Sequence, residues 1–548
     1  MASGRHRPRR LGRGRRHGGG GALTSRWWER SVGYEIYLRS FADSDGDGVG
    51  DLRGVLHRLD YLAWLGVDLV WVTPFYPSPM RDNGYDVADY TGVGEEFGTL
   101  ADLDRIATRA HELGMRLIID LVPNHSSSEH PWFAEARSSR ASPYRDYYTW
   151  RDPRPGGGRP NNWASVFGGP AWTLDEASGQ YWLHSFLPEQ PDLNWANPKV
   201  ADEFDRIIRF WLDRGVDGFR IDVAHGLAKH PDLPDNPLTG ADPDHDATAA
   251  ASWRALEHRY DQDQPEVLDV YRRWRRVVAP YRGLLVGEVY LFEAERLSRY
   301  VEGDGLDLAF WFPPLHVPWD ADRLRAVLRE GASLAPGSVA WVTGSHDRPR
   351  AVSRFGGGRL GQERALALST LQFGLPGVAF LYQGEELGLA NGAVPADQVI
   401  DMVGRDVART PMPWATRPGL GFTTADRAWL PLGGRTPADT VERQRADDGS
   451  VLHRYRTLIQ ARHQWLGGLG PVEWLTRDGP VIAYRRGRVV VAANCAGVPT
   501  RLPLAGRFKV RFSSVHAGEG DLVAGGIPLA AREARIAVVV DRSTDDLA

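Results

Sequence analysis

Between residues 34 and 382 the chain alternates two hydrophobic patterns. Short runs of β-type residues are followed by stretches in which apolar positions recur every three or four residues. The short runs fall at 34–38, 69–72, 117–122, 219–223, 284–289, 306–311, 339–342 and 378–382. Amphipathic helical stretches lie between several of them, at 52–65, 100–113, 200–212, 253–277, 321–332 and 361–371. Repeated strand–helix–strand units imply a parallel sheet, and eight strands close into a (β/α)8 TIM barrel of the α/β class. An open, doubly wound sheet is the alternative arrangement.

The interval between the third and fourth runs is far longer than one crossover needs. Residues 126–193 are rich in Trp, Pro, Gly and Asn and carry their own β-type pieces, which predicts an inserted subdomain. After the eighth run, a Gly- and Pro-rich stretch over 391–434 leads to a helix near 451–465. Short alternating strands at 481–485, 488–494, 509–512 and 534–540 then predict a C-terminal antiparallel β domain. The expected divisions are a tail over 1–24, barrel over 25–125 and 194–465, insertion over 126–193 and β domain over 466–548.

At 548 residues, with 42% hydrophobic and 25% charged residues, the composition is that of an ordinary globular protein of several units. A net charge of −4 gives no reason to expect nucleic acid or an anionic membrane as partner. No apolar run approaches the roughly 18–20 residues that span a bilayer. The single Cys495 excludes an intramolecular disulfide. The first 21 residues hold seven arginines and no acid, and no apolar stretch of the signal-peptide kind follows. Such a segment could touch RNA or a membrane; we read it as a disordered extension and expect a cytoplasmic protein.

The candidate chemistry sits where β runs stop. Arg220 and Asp222 are two apart, so on a strand both face the barrel interior. An arginine beside a carboxylate favours its ionised form, which a nucleophile requires. Glu288 closes the next run; like-charge repulsion from an ionised Asp222 would help it keep a proton. Two carboxyls with opposite tasks are what glycoside hydrolysis needs, and a retaining pair stands roughly 5–5.5 Å apart. Asp347 and His346 close the seventh run, and Asp120, Asn124 and His125 the third, adding groups for sugar hydroxyls. A purely structural ion pair is the competing reading of Arg220 and Asp222. A separate loop holds Asp43, Asp45, Asp47 and Asp51 among glycines. Such a density of hard oxygens suits Ca²⁺, with the Val49 carbonyl as a further ligand. It is not an EF-hand, because Gly54 stands at the twelfth position.

These segments resemble the α-amylase family of retaining glycoside hydrolases (family 13), in its exo-acting α-glucosidase and oligo-1,6-glucosidase branch. The motifs are Asp120-Leu-Val-Pro-Asn124-His125, Gly218-Phe-Arg-Ile-Asp-Val, Gly287-Glu288-Val, His346-Asp347 and Gln190-Pro-Asp-Leu-Asn-Trp195. The resemblance implies Asp222 as nucleophile, Glu288 as general acid/base and Asp347 as transition-state stabiliser, with Arg220, His125 and His346 around the scissile sugar. It also implies that Asp82 and Arg409 pair to grip a terminal glucose on which Tyr85 stacks, and that the acidic loop binds a structural Ca²⁺ (or Mg²⁺). Asp86 suits a turn cap. Ser345 and Arg348 depart from the family pattern, in which Asn precedes His-Asp. The expected activity is a retaining α-glucosidase acting on short malto- or isomalto-oligosaccharides. A transglucosidase or trehalose synthase using the same site is the alternative, and an inactive sugar-binding or transporter-accessory barrel a distant one. Val223 after the nucleophile points to α-1,6 linkages, but Ala224-His225 does not match that context, so α-1,4 stays equally open.

Overall fold

The structure is a computed structural model that describes residues 27–240, 250–335, 337–467 and 469–540; the basic segment over 1–24 lies outside them. Eight strands form a closed parallel barrel: β1 Val32–Ile36, β2 Leu69–Val72, β3 Arg116–Leu121, β4 Gly218–Ile221, β5 Leu284–Gly287, β6 Leu308–Trp311, β7 Val339–Val342 and β8 Val378–Tyr382. Each pairs with its sequence neighbour and β8 closes on β1. Leu69, Trp71, Ile118, Val286, Phe310, Val342 and Phe380 fill the interior, while alternate residues such as Val70, Ile119, Leu285, Trp311 and Trp341 meet the surrounding helices. Burial on both faces is why these strands read as continuous apolar runs. The interior is tight at Gly33, where a Cβ would come within 2.4 Å of the Phe380 ring.

Most predicted elements hold within a few residues. Three strands end two residues earlier than expected: β1 because Leu38–Ser40 already turns, β4 because Val223 adopts φ 46°, and β5, which stops at Gly287. The single helix expected over 253–277 is two, Ala251–Arg254 and Val267–Val278. Pro265 and the left-handed Asp263 (φ 54°) interrupt it, since the residue before a proline avoids the α region.

The insertion carries the helix Pro131–Ser138 and a three-stranded antiparallel sheet of Trp150–Arg151, Gln180–Leu183 and Trp172–Asp175. Bridges His125↔Asp192 and Tyr148↔Leu193 bring its far end back to the mouth of β3. The C-terminal sheet, which includes Val481–Arg486, Val489–Asn494, Arg507–Ser513 and Ala534–Val539, leans on the barrel helix Gly358–Gly374. There Arg486 donates to the Gly374 carbonyl at 2.9 Å, and a side chain on Gly374 would strike the Tyr484 hydroxyl at 2.1 Å. Among the described residues no helix is long and apolar enough to cross a membrane.

Candidate active site

The site is organised around one guanidinium at the C-terminal ends of β3, β4 and β5. Asp120 and Arg220 are register partners on β3 and β4, so both continue the inward-facing row begun by Ile118 and Gly218. Arg220 Nη1 reaches Asp120 Oδ1 at 2.7 Å and Asp222 Oδ1 at 2.6 Å, while Nη2 reaches Glu288 Oε1 at 2.9 Å. The side chains of Arg220, Asp120, Asp222 and Glu288 are 2%, 0%, 8% and 15% exposed, so water screens these charges poorly. Val223 donates its N–H to Glu288 Oε2 at 3.0 Å from a left-handed conformation that β-branched residues avoid. That strain aims a backbone dipole at the second carboxyl.

Burial pushes the Asp222 carboxyl up to about 6, against the pull of Arg220. The sequence had pointed to a depressed value; the loss of hydration outweighs the guanidinium. Burial pushes Glu288 further, to about 8, with the charges of Asp222 and Asp347 adding to the shift. The order needed for a nucleophile and a proton donor is therefore present, ionised Asp222 beside protonated Glu288 near neutrality. Asp347 goes the other way. Burial would raise it, but His346, Arg405, Arg409 and Arg220 hold it well below the usual carboxylate range.

His346 is clamped between the rings of Tyr37 and Tyr85, with centroids 5.5 and 5.6 Å away. Its Nδ1 lies 2.5 Å from Glu35 Oε1, and its Nε2 lies 3.0 Å from the Tyr85 hydroxyl and 3.3 Å from Asp347 Oδ2. Burial disfavours the imidazolium, but Asp347 and Glu35 together raise the His346 pKa above its ordinary value. In turn His346 is among the groups that lower the Asp347 pKa. Tyr85, expected against the sugar, has one face covered by His346. Glu35→Gln removes a hydrogen bond to a charged group, a loss of about 1.5–3 kcal/mol. It is expected to lower kcat about tenfold or more and to move the His346 titration, followed by NMR, to lower pH.

At the outer edge, Asp82 Oδ1 meets Arg405 Nη2 at 2.6 Å, and Asp82 Oδ2 accepts from Gln190 Nε2 at 3.1 Å. This corrects the expected Asp82–Arg409 pair. Arg405 and Arg409 stand one helical turn apart at either end of Asp406–Arg409; Arg405 reaches outward to Asp82. Arg409, with a fully buried side chain, donates to Asp347 Oδ1 at 2.8 Å and to the His346 carbonyl at 2.9 Å. Asp401 ties the two arginines together, 2.6 Å from Arg405 and 3.5 Å from Arg409. His125 lies 3.1 Å from the Tyr85 carbonyl and from Gln190 Nε2, and burial lowers its pKa toward the neutral imidazole. Phe167 of the insertion sits 5.4 Å under Arg405. Asp86 accepts from Ser78 Oγ and from the backbone N–H groups of Arg81 and Asp82, so it caps the turn that carries Asp82. Ser345 Oγ, in place of the family's Asn, accepts from the Asp347 N–H at 3.3 Å.

The acidic loop lies elsewhere, between β1 and the helix Leu52–Leu65. Asp43, Asp45 and Asp51 offer oxygens within 4.8 Å of one another. Asp47 stays outside this trio, its Oδ1 accepting from the Val49 N–H at 2.7 Å. Asp51 also caps the helix through Gly54, and Asp43 accepts from the Gly46 and Gly48 N–H groups. Burial and the charges of Asp47 and Asp51 raise the Asp45 pKa, a crowding that a divalent cation would relieve. The donor set of hard oxygens fits Ca²⁺ or Mg²⁺.

Residues that motif reading passed over include Glu35, Arg405, Asp401 and Tyr37. Glu35 had a visible signal, a lone acid inside the apolar run that became β1. Arg405 stood in the same segment as Arg409, but only the folded chain tells them apart.

A closed parallel barrel with two buried carboxyls of different proton affinity and a third carboxylate at its C-terminal rim is an arrangement suited to glycoside chemistry. Residues 35–467 match the catalytic domain of alpha amylase, and the chain belongs to that family. It is 39% identical over 511 residues to an oligo-1,6-glucosidase of Parageobacillus thermoglucosidasius, covering 85% of this chain and 88% of that one. It is 40% identical over 482 residues to a probable alpha-glucosidase of Rhizobium meliloti, covering 84% and 87%. Among solved structures, an alpha-glucosyl transfer enzyme, XgtA, superposes with a TM-score of 0.87 at 37% identity, covering 94% of this chain and all of that one.

Proposed function

We propose that this protein is a retaining α-glucosidase that removes terminal non-reducing glucose from short malto- or isomalto-oligosaccharides. The carrying observation is that Asp222 and Glu288 sit on neighbouring nitrogens of one guanidinium, at 2.6 and 2.9 Å. That placement supports the short separation of a covalent, two-step mechanism. The ionised Asp222 attacks the anomeric carbon while Glu288 gives its proton to the leaving oxygen, which departs as an alcohol. Glu288, now a carboxylate, takes a proton from water, whose oxygen displaces Asp222 and releases α-glucose. The ionised Asp347 stabilises positive charge building on the ring, His346 holds Asp347 in place at 3.3 Å, and Asp82 with Arg405 closes the pocket beyond the terminal sugar. Incubation with p-nitrophenyl α-glucoside, whose only glucose passes through the glycosyl–enzyme, followed by NMR, is expected to show α-glucose as the first anomer released. β-Glucose as the first product would overturn the reading.

The same groups set the pH profile. Asp222 must have lost its proton and Glu288 must keep one, so kcat/KM is expected to rise through about 6 and fall through about 8. The two limbs belong to the coupled pair. A profile flat across that window would contradict the proton assignment.

A glucosyl–enzyme can also be intercepted by a sugar hydroxyl, which makes transglucosylation the second reading; the solved relative XgtA is described as an alpha-glucosyl transfer enzyme. Chromatography of products from maltose alone separates glucose from longer oligosaccharides and trehalose.

Asp43, Asp45 and Asp51 would hold a structural Ca²⁺, or Mg²⁺, remote from the reaction. Their loop is stitched to the segment after β8 by Asp43 N–H to the Phe422 carbonyl at 3.0 Å and Trp429 N–H to the Gly48 carbonyl at 2.9 Å. Chelation is expected to lower Tm by several degrees, with recovery on adding Ca²⁺. A Tm indifferent to chelator and cation would remove the metal.

A further inference from the structure

The rim of the barrel away from the Asp82 clamp carries a charge that the reaction described above does not use. Arg348 follows Asp347 directly and is half-buried. The three arginines described above are matched to carboxylates: Arg220 to Asp120, Asp222 and Glu288; Arg405 to Asp82, Asp347 and Asp401; Arg409 to Asp347 and Asp401. Among the described residues, Arg348 has no carboxylate within ion-pair reach. Its guanidinium is held by the Tyr290 hydroxyl and lies 5.6 Å from that ring. Burial and the neighbouring guanidinium of Arg254 both lower the Arg348 pKa.

The surroundings suit a ligand. Tyr290 lies two residues beyond Glu288, and its hydroxyl is 2.8 Å from Nε2 of His316, which follows β6. Its ring packs 4.9 Å from that of Phe292, which is 41% exposed. The glucose clamp comes from the ends of β2, β3 and β8, whereas these groups come from the ends of β5, β6 and β7, across the barrel. Glu288 delivers its proton to the departing oxygen, so the leaving group lies on its side of the pocket, where Tyr290 and Arg348 stand.

We propose that this rim is an aglycone subsite for an anionic leaving group, a sugar or polyol bearing a phosphate or a carboxylate. Arg348 is the charge partner, and Tyr290, Phe292 and His316 are the walls. Arginine's planar fork matches either anion with two parallel hydrogen bonds. The chemistry stays that of the α-glucosidase reading on which this inference rests. The glycosidic C–O bond breaks, Asp222 forms the ester, and the leaving oxygen takes the Glu288 proton and departs with its anion unchanged.

Two matched pairs test it, trehalose against trehalose 6-phosphate and 2-O-α-glucosylglycerol against 2-O-α-glucosylglycerate, with p-nitrophenyl α-glucoside as a common reference. In at least one pair, kcat/KM for the charged compound is expected to exceed that for its neutral partner by about tenfold or more, and the preferred pair tells phosphate from carboxylate. Arg348→Met keeps the stem packed on Tyr290 and is expected to bring that ratio down about tenfold, whereas Arg348→Lys keeps part of it; equal Tm values show that both variants fold. Charged compounds no better than neutral ones in both pairs, or a preference that Arg348→Met leaves intact, overturns the subsite. Failure to cleave even p-nitrophenyl α-glucoside would instead sink the glucosidase reading itself.

Discussion

Asp222→Asn is expected to reduce turnover of maltose and isomaltose by at least about 10⁴-fold while the protein stays folded, because a neutral amide cannot form the glycosyl ester. Folding survives because Arg220 keeps Asp120 at 2.7 Å and Glu288 at 2.9 Å, so its charge is still matched when Asp222 is neutralised. Glu288→Gln separates the two roles. With maltose, whose leaving group is a poor one, loss of the proton donor should cost nearly as much as loss of the nucleophile. With p-nitrophenyl α-glucoside the leaving phenolate needs no proton, so formation of the glycosyl–enzyme should be much less affected and its hydrolysis should become limiting, seen as a burst of p-nitrophenol. Unchanged glucose release by Asp222→Asn, or equal losses on both substrates for Glu288→Gln, would remove these assignments.

The second large effect concerns the clamp. Arg405→Ala should lower kcat/KM on short oligosaccharides by about 10²–10³-fold, because it takes the cation from the buried Asp82 and leaves Asp401 with Arg409 alone, at 3.5 Å. Part of that loss should appear in KM, since Arg405 bounds the terminal glucose. Arg409→Ala is expected to act differently. It removes a charge from Asp347 and from the His346 carbonyl, so the Asp347 pKa should rise and the loss should fall mainly on kcat. The contrast distinguishes the arginine that grips substrate from the one that holds the stabilising carboxylate. If Arg409→Ala raised KM with kcat intact, the original Asp82–Arg409 pairing would have to be restored.

Much of this was legible in one dimension because β-strands obey a two-residue period. Once Gly218–Ile221 is a strand, Asp222 must sit at its C-terminal end, and a closed parallel barrel brings such ends to one rim. The order of eight apolar runs, the insertion after the third and the antiparallel C-terminal strands followed from local pattern alone. So did the positions of Asp222, Glu288 and Asp347. What pattern could not supply was anything decided by which of two similar groups arrives first. Arg405 and Arg409 are equivalent in the sequence, and only packing puts one at the edge and one beneath Asp347. Glu35 and His346 are 311 residues apart and meet only because β1 lies beside the strands that close the barrel. The direction of the Asp222 shift was likewise a tertiary matter. The neighbouring arginine can be read from two letters, but the loss of water around both groups, which outweighs it, exists only in the folded barrel.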